Sequence, residues 1–233
     1  MRIAVVGYTG RFGSAAMKLL KDAGHTVIPV HGVDFTEEML DSLDYALLAV
    51  PIQAALNIVS SCKNPGKLVE ICSVKSPFRP FAGKIISIHP LFGPSTVNSP
   101  DPRNIIYVDD LSTPGSIDII KQMFPGGSIR IMSASDHDRT MIDLLVRPYI
   151  LSMLADSSGK AQTDLTTRSS RMLREFEGIY DDESREVMMD TIALNPYSMD
   201  ILAKIRGRLD RIIESVENGD SQRQPAPARS GNG

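Results

Sequence analysis

Short β-branched runs alternate with helical patterns along the first 132 residues of the chain. Some runs, such as Ala46-Leu47-Leu48-Ala49-Val50, are apolar at every position, as expected for strands buried between two layers of helices. This alternation is typical of parallel βαβ units and predicts an α/β fold. The predicted strands are Ile3–Val6, Thr26–Val30, Tyr45–Val50, Leu68–Ser73, Ile85–Ile88, Ile105–Val108 and Ile129–Met132.

Helix signals fall between these strands. Apolar periodicity predicts helices over Phe12–Ala23 and Ile52–Ser61. Asp34 and Glu37 have the spacing of a capping box, which predicts a short helix after the second strand. Thr113-Pro114 has the pattern of an N-cap followed by proline in the first turn, which predicts a helix to about residue 124.

The pattern changes at residue 133, after which the chain is helix-forming and has no convincing strand. This division predicts an α/β domain over residues 1–132 and a smaller all-helical domain over residues 133–218. Pro148 should kink or end the first long helix of the second domain. Residues 219–233 are rich in Gln, Pro, Ala, Ser and Gly, so we expect a disordered tail.

The last predicted helix, from Pro196 to about Val216, carries an apolar stripe in steps of three and four residues. Such a stripe suits packing on its own domain, and its 3.5-residue period also suits a neighbouring chain. Because the helical domain is small, burial against a second copy would benefit it, and we expect a homodimer formed through this domain. The stripe consists of Leu202, Ile205, Leu209, Ile212 and Val216.

Composition and charge narrow the class of partner. The 233 residues carry 25 Lys+Arg and 28 Asp+Glu, so there is no electrostatic reason to expect a nucleic acid or an acidic membrane. Cys62 and Cys72 are the only cysteines, too few for a disulfide framework or a zinc cluster, and we expect no metal site. No apolar run reaches the roughly 18 residues of a membrane span. We therefore expect a soluble cytoplasmic protein that binds small molecules.

The segment Gly7-Tyr8-Thr9-Gly10-Arg11-Phe12-Gly13 directly follows the first strand and opens the first helix. Glycines at this junction allow a tight turn, bring backbone N–H groups to a pyrophosphate, and let the helix pack on the strand. Glycine turns are common, but this context predicts a Rossmann-type dinucleotide-binding domain. The Thr9 hydroxyl would contact a phosphate, and Arg11 would reach a phosphate or lie over the adenine.

The choice between NAD and NADP depends on the end of the second strand, where an acidic residue usually binds the ribose 2′-hydroxyl of NAD. Val30-His31-Gly32 stands there, with no acid until Asp34. This omission, with His31 and Arg11 nearby, favours NADP over NAD, although Asp34 reaching the ribose is the alternative. Val50-Pro51 should form a wall of the cofactor pocket through its backbone.

Polar groups follow two later strands, in Glu70-Ile71-Cys72-Ser73-Val74-Lys75 and in Ser87-Ile88-His89-Pro90. Ligands of an open parallel sheet bind at its carboxyl edge, so Ser73, Lys75 and His89 should converge beside the nicotinamide. The alternatives are a structural histidine and a solvated surface lysine.

These residues resemble a known family. Ser73-Val74-Lys75 followed by His89-Pro90-Leu91-Phe92-Gly93-Pro94, behind the glycine motif, is similar to the prephenate and arogenate dehydrogenases of tyrosine biosynthesis. The resemblance continues at Ser135-Asp136-His137-Asp138-Arg139 and covers about residues 1–217. It implies a Rossmann-type domain followed by a helical dimerisation domain, in agreement with the pattern.

The reaction that the resemblance implies is oxidative decarboxylation of prephenate to 4-hydroxyphenylpyruvate, with hydride transfer to NAD(P). His89 would then accept a hydrogen bond from the substrate 4-hydroxyl and help to remove its proton. Ser73 would hydrogen-bond the substrate close to the same hydroxyl. Lys75 would hold the loop or add positive charge, and His137 would lie at the substrate site.

The dianionic substrate requires an arginine from the helical domain. Arg168, Arg171 and Arg174 are candidates, and similarity to the family's arginine-containing helix favours Arg174, then Arg171. Where the family usually has a second histidine, this chain has Arg147-Pro148-Tyr149. Tyr149 would then replace that histidine as a donor, or Arg147 would supply charge directly.

Three alternatives stay open. An arogenate dehydrogenase would differ only in how the substrate side chain is held. A Rossmann reductase of β-hydroxy acids usually requires a lysine of the helical domain, and the only early candidate, Lys160, lies in a predicted loop. A non-catalytic nucleotide-binding sensor would keep the glycine motif, but Ser73 and His89 argue against it.

Overall fold

The computed structural model describes residues 1–93, 103–157, 159 and 165–218. The chain divides into two compact units, Met1–Tyr197 and Ser198–Gly233, the second described as far as residue 218. The expected disordered tail, Lys160 and Pro94 lie outside the described residues. The division at residue 132 stays a prediction.

A seven-stranded sheet forms the centre of the first unit, in the order β2-β1-β3-β4-β5-β6-β7. All seven predicted strands are present, although β3 and β4 end two and three residues earlier than predicted, where their pairing with neighbouring strands stops. The strands are β1 (Arg2–Val6), β2 (Thr26–Val30), β3 (Tyr45–Leu48), β4 (Leu68–Glu70), β5 (Ile86–Pro90), β6 (Asn104–Val108) and β7 (Ser128–Met132).

The direction of the last two strands differs from the prediction of a parallel sheet. Strands β1 to β5 are parallel, as predicted. Strand β6 runs antiparallel to β5, with Pro90 opposite Ile105, and β7 is parallel to β6. The chain therefore turns back after β5, and the carboxyl ends of β1 to β5 alone share one edge.

Helices cover both faces of the sheet. Strand β1 shows this directly, because Ile3 and Val5 contribute to one apolar layer, and Ala4 and Val6 to the other. Helices α1 and α3 pack in the first layer and α2 in the second. The fully buried strand residues confirm the interpretation of the continuous apolar runs. These helices are α1 (Arg11–Asp22), α2 (Ile52–Ser61) and α3 (Ile117–Met123).

Two predicted helix starts are wrong. Helix α3 begins three residues later than predicted, because the Thr113 carbonyl accepts hydrogen bonds from Ser116 N–H and Oγ (3.2 and 2.7 Å) and closes a turn first. Asp34 and Glu37 form no capping box. Two 3₁₀ helices, Gly32–Asp34 and Glu37–Ser42, replace the predicted helix, since the Glu37 carboxylate instead accepts the Lys63 N–H at 2.7 Å.

Every element described after Met132 is a helix, as predicted. Regular α-helical hydrogen bonding is interrupted before Pro148, where a π-helical segment over Ile142–Val146 joins α4 to α5, because proline has no N–H to donate to the preceding turn. The helices are α4 (Ala134–Met141), α5 (Arg147–Ser157), α6 (Arg168–Asp182), α7 (Arg185–Leu194) and, in the second unit, α8 (Ser198–Glu217).

Candidate active site

The glycine motif forms a close backbone turn between β1 and α1. Gly7 has φ of 87°, and a Cβ atom there would overlap the carbonyl oxygen of Ala49. A Cβ atom on Gly13 would overlap the Gly7 carbonyl oxygen, so both positions exclude any side chain. Gly10, the N-cap of α1, provides no side-chain cap, and the first turn carries no acid. The N-terminus of α1 is therefore suited to a phosphate group, as the motif predicted.

A cavity of about 490 Å³ lies at the ends of β2 and β3. Its lining includes His31, Val50 and Pro51, three of the residues predicted to bind the cofactor, together with Asn57. His31 Nε2 lies 3.2 Å from the hydroxyl of Tyr8, which belongs to the glycine motif. The two predicted parts of the cofactor site are thus in contact. Thr9 is exposed, and the Phe12 ring packs on Phe92 with centroids 5.9 Å apart.

Lys75 lies beneath the site as part of a fully buried ion pair. Its Nζ donates to both carboxylate oxygens of Glu70 (2.9 and 3.1 Å) and to the Ile88 carbonyl at 2.7 Å. Glu70 also accepts hydrogen bonds from Ser87 Oγ and the Cys72 N–H. Because Lys75 has no exposed surface, it does not contact substrate, and of its two expected roles the structure favours support of the loop over adding positive charge at the substrate.

His89 is the first member of a hydrogen-bonded series. Its Nδ1 lies 2.9 Å from His137 Nε2, and His137 Nδ1 lies 2.9 Å from Asp138 Oδ1. Asp138 also accepts the Lys75 and Ser76 N–H groups (2.8 and 2.9 Å) and the Ser76 hydroxyl at 2.6 Å. His137 is fully buried behind His89 with both ring nitrogens engaged, so its expected contact with substrate is corrected to a contact with His89.

The environment of this series fixes where its protons lie. Burial lowers the pKa of His89 well below its ordinary value, and repulsion by the Lys75 ammonium and by any proton charge on His137 lowers it further. Burial also lowers the pKa of His137, against the effect of Asp138. Burial acts to raise the pKa of Asp138, but hydrogen bonds from His137, Ser76 and Lys75 outweigh it and lower the pKa. Near pH 7, His89 and His137 are therefore neutral and Asp138 is ionised.

One proton arrangement satisfies these contacts. The Asp138 carboxylate only accepts, so His137 carries its proton on Nδ1 and accepts at Nε2. His89 must then donate from Nδ1, which leaves its Nε2 unprotonated. No described residue hydrogen-bonds His89 Nε2, and His89 retains 8% exposure. The result is a neutral imidazole with its basic nitrogen directed away from the protein series.

Ser73 contacts a residue that the sequence did not single out. Its Oγ lies 2.6 Å from Oγ1 of Thr191, a fully buried residue of α7. Helix α7 thereby contributes to the site. Neither periodicity nor a motif marks Thr191, whereas Glu70 and Asp138 lay inside the segments quoted above.

The charges of an ion pair between Arg11 and Glu183 act on Tyr149. Arg11 Nη1 lies 3.7 Å from Glu183 Oε1, which joins the glycine motif to the residue after α6. Tyr149 is buried, and its pKa is raised by burial and by the charge of Glu183, against the charge of Arg11. Tyr149 therefore remains a hydrogen-bond donor at neutral pH.

The remaining predicted arginines lie on exposed helix surfaces. Arg147 pairs with Asp143 at 3.0 Å, and about half of its side chain is exposed (49%). Arg171 and Arg174 are exposed on α6. Within the part of the chain that is described, no hydrogen bond or ion pair joins them to the His89 series.

Other classes of site find no support in the described residues. No group of three or more His, Cys, Asp or Glu side chains in 1–93, 103–157, 159 and 165–218 is arranged to hold a metal ion. Over the same ranges, no helix combines the length and apolar character needed to cross a membrane.

Comparison with known proteins supports the fold. No protein-family model matches the sequence, and no curated protein gives a significant match. Among solved structures, the arogenate dehydrogenase of Synechocystis aligns over 95% of this chain and 94% of its own, with a TM-score of 0.61 and 18% identity.

A second similar structure is the prephenate dehydrogenase of A. aeolicus in complex with hydroxyphenyl propionate and NAD⁺. It aligns over 95% of this chain and 92% of its own, with a TM-score of 0.67 and 13% identity. Another structure of prephenate dehydrogenase from Aquifex aeolicus aligns over 94% of this chain and 93% of its own, with a TM-score of 0.65 and 14% identity. The chain therefore has the fold of the prephenate and arogenate dehydrogenases.

Proposed function

We propose that this protein is an NAD(P)-dependent dehydrogenase that oxidatively decarboxylates prephenate to 4-hydroxyphenylpyruvate in tyrosine biosynthesis. The observation that carries the proposal is the His89–His137–Asp138 series, which leaves a neutral base at the carboxyl edge of the sheet. The fold and the glycine motif support the same conclusion, as do the ligands named for the A. aeolicus structure.

The cofactor would occupy the glycine motif and the cavity at the ends of β2 and β3. Glycines at positions 7 and 13 allow the close backbone approach that a pyrophosphate needs. The cavity beside His31 would hold the adenosine part. Because no acid stands at the end of β2 and His31 does, we propose that NADP is used in preference to NAD.

In the proposed reaction, His89 would act as the base and the bound cofactor would accept the hydride. NAD(P), when bound, accepts the hydride from the ring carbon that bears the 4-hydroxyl. His89 Nε2 accepts the proton of this hydroxyl, and His137 and Asp138 stabilise the resulting positive charge through the series. Loss of the ring carboxylate as carbon dioxide gives the aromatic product, which makes the reaction irreversible.

Recognition of the anionic substrate is assigned to arginines and to Tyr149. Arg174 is our first candidate for a carboxylate, followed by Arg171, with Arg147 supplying further charge. Tyr149 would donate a hydrogen bond where the family usually has a histidine. Arogenate is the second candidate substrate, because its ring and hydroxyl present the same groups to His89.

We also propose a homodimer formed through the helical region, in the cytoplasm. Helices α5 and α6 expose Leu151, Leu154 and Phe176 at 38–40%, and none of the described side chains of α6 is buried. Helix α8, taken by itself, exposes Leu209, Ile212 and Val216. Apolar side chains grouped in this way favour an interface. A single-chain mass at micromolar concentration in analytical ultracentrifugation would contradict the dimer.

The reaction is tested with the purified protein and prephenate or arogenate, each with NAD and NADP, by the absorbance of the reduced nicotinamide. We expect turnover with prephenate, faster with NADP. Absence of turnover in all four combinations would reject the proposed reaction, and cofactor binding without turnover would favour a sensor. Turnover of a β-hydroxy acid alone would favour the other reductase class.

A further inference from the structure

The segment that directly follows α7 carries an asparagine with a buried side chain, Asn195. Its Oδ1 accepts the Tyr197 N–H at 3.0 Å, and its Nδ2 donates to the Asp138 carbonyl at 2.8 Å. The bond from the Tyr197 N–H closes an Asx turn around Pro196, which fixes the direction of the side chain. The amide group is therefore held so that its N–H meets α4 at Asp138.

An amide matches both of these neighbours. The Tyr197 N–H can only donate, and the Asp138 carbonyl can only accept. Asparagine offers an acceptor and a donor on one short side chain, whereas a carboxylate offers only acceptors and an alkyl group offers neither. Because Asn195 is buried, its truncation would leave the Asp138 carbonyl without this donor.

Tyr197 adds two further contacts with the same helix. Its hydroxyl lies 2.7 Å from Ser135 Oγ, and its ring centroid lies 4.4 Å from the guanidinium carbon of Arg139. Asp138 and Arg139 follow Ser135 by three and four positions, so all three residues lie on one face of α4. The segment after α7 thus holds this face of α4 at three points.

Asp138 is held at its side chain as well as at its main chain. Its carboxylate accepts hydrogen bonds from N–H and hydroxyl groups of the loop after β4, and it lies 2.9 Å from His137 Nδ1. Asn195 binds the carbonyl of the same residue. A shift of the α4 main chain at Asp138 would therefore also move His137, the preceding residue, and disturb its 2.9 Å contact with His89.

The contact between His137 and His89 determines which nitrogen of His89 is the base. His89 donates from Nδ1 because His137 accepts at Nε2. If this contact were lost, His89 could carry its proton on Nε2 instead, and that nitrogen could not then accept the substrate proton. The position of α4 therefore bears directly on the proposed reaction.

We propose that Asn195 is a positioning residue, which holds α4 at Asp138 so that His137 fixes the tautomer of His89. This inference rests on the proposed function. It adds to the site a residue that lies 57 positions from Asp138 along the chain and does not itself touch the reacting groups.

Kinetics of substituted full-length proteins test whether Asn195 acts through His137. We expect Asn195→Ala to lower kcat for prephenate about tenfold, because the base is no longer aligned. The KM and the Kd for NADPH should change less than about twofold, since neither ligand would touch Asn195. In a His137→Gln background the same substitution should lower kcat less than about twofold further. Asn64→Ala, at an exposed asparagine before β4, is the control and should leave kcat unchanged.

An equal loss of kcat in both backgrounds would show a merely structural role and overturn the inference, as would a loss of NADPH affinity as large as the loss of kcat. An unchanged kcat in Asn195→Ala would overturn it too. Each variant is first checked by its thermal unfolding midpoint. If the Ala variant does not fold, Asn195→Ser, which shortens the side chain less, replaces it in the same cycle.

Magnetic resonance of isotope-labelled histidine reads the tautomer directly. The chain has four histidines, and the His89→Asn variant identifies the signal of His89. We expect His89 to carry its proton on Nδ1 alone in the unchanged protein and to show both tautomers in Asn195→Ala. A proton on Nε2 in the unchanged protein, or the same single tautomer in both proteins, would overturn the inference. This measurement needs no turnover, so its failure is distinguishable from failure of the proposed reaction.

Discussion

Charged residues are buried at the carboxyl edge of the sheet and exposed on the surface of α5 and α6. At the sheet edge, Glu70, Lys75 and Asp138 are buried, and protein groups satisfy each of them. On α5 and α6, Arg147, Arg171 and Arg174 are exposed. The proposed base is therefore held by buried protein groups, whereas the groups proposed to bind the substrate carboxylate are exposed to solvent.

The largest effect expected from this comparison is on stability. Lys75→Met leaves the Glu70 carboxylate buried without its partner, and we expect the free energy of unfolding to fall by about 3–5 kcal/mol in chemical denaturation. Adding Glu70→Gln should recover part of the loss. The exposed Lys121–Asp118 pair is the control, and Lys121→Met should cost under about 1 kcal/mol. Lys121 lies on α3 and is exposed, so equal losses for the two lysines would refute the distinction between buried and exposed charges.

The next effect is on catalysis. His89→Asn should lower kcat by roughly two or more orders of magnitude with the Kd for NADPH little changed, because the base is lost while the cofactor site remains. Steady-state kinetics and fluorescence titration measure the two quantities. An unchanged kcat would remove His89 from its role.

Substitution of the exposed arginines should weaken the binding of prephenate. We expect Arg174→Ala to raise the KM for prephenate about tenfold with a smaller change in kcat, as for loss of one charge-assisted hydrogen bond. Arg168→Ala and Arg171→Ala are matched variants on the same helix. If Arg174→Ala has a normal KM, the variant that does raise it identifies the carboxylate ligand.

The last prediction concerns the pH dependence of stability. The pKa values of His89 and His137 are lowered in the folded protein, so below about pH 6.5 the unfolded chain binds protons that the folded chain does not. Stability should therefore fall as the pH falls from 7 to 5, by at most about 1.4 kcal/mol per pH unit for each histidine. His89→Asn should reduce this slope, and an unchanged slope would contradict the assigned protonation.

Much of the fold was predictable because it depends on local pattern. Apolar runs buried on both faces identified seven strands, and the glycine spacing identified the turn before α1. The antiparallel direction of β6 was missed, since strand direction depends on the connection rather than on the strand's own residues. The start of α3 was missed because the turn closed by Ser116 competes with a helix that begins at Thr113.

For the site, the sequence indicated the polar residues at the strand ends but could not show their partners. Lys75 was expected beside His89 and His137 at the substrate site, but their hydrogen bonds are with protein groups, to Ile88 and His89 respectively. Thr191 lies 118 positions from Ser73 and has no motif of its own. Which side chains meet, and which nitrogen or oxygen keeps its proton, depends on packing between distant segments.

The sequence by itself determined a glycine turn at the end of β1, a sheet buried on both faces and polar residues where β4 and β5 end, because each follows from neighbouring residues. The tertiary structure decided that Lys75 is paired with Glu70, that His89 is hydrogen-bonded to His137 and through it to Asp138, and that Ser73 meets Thr191. Hydrogen bonds between distant buried groups decide which atoms remain to meet a ligand, and only the folded chain brings those groups within bonding distance.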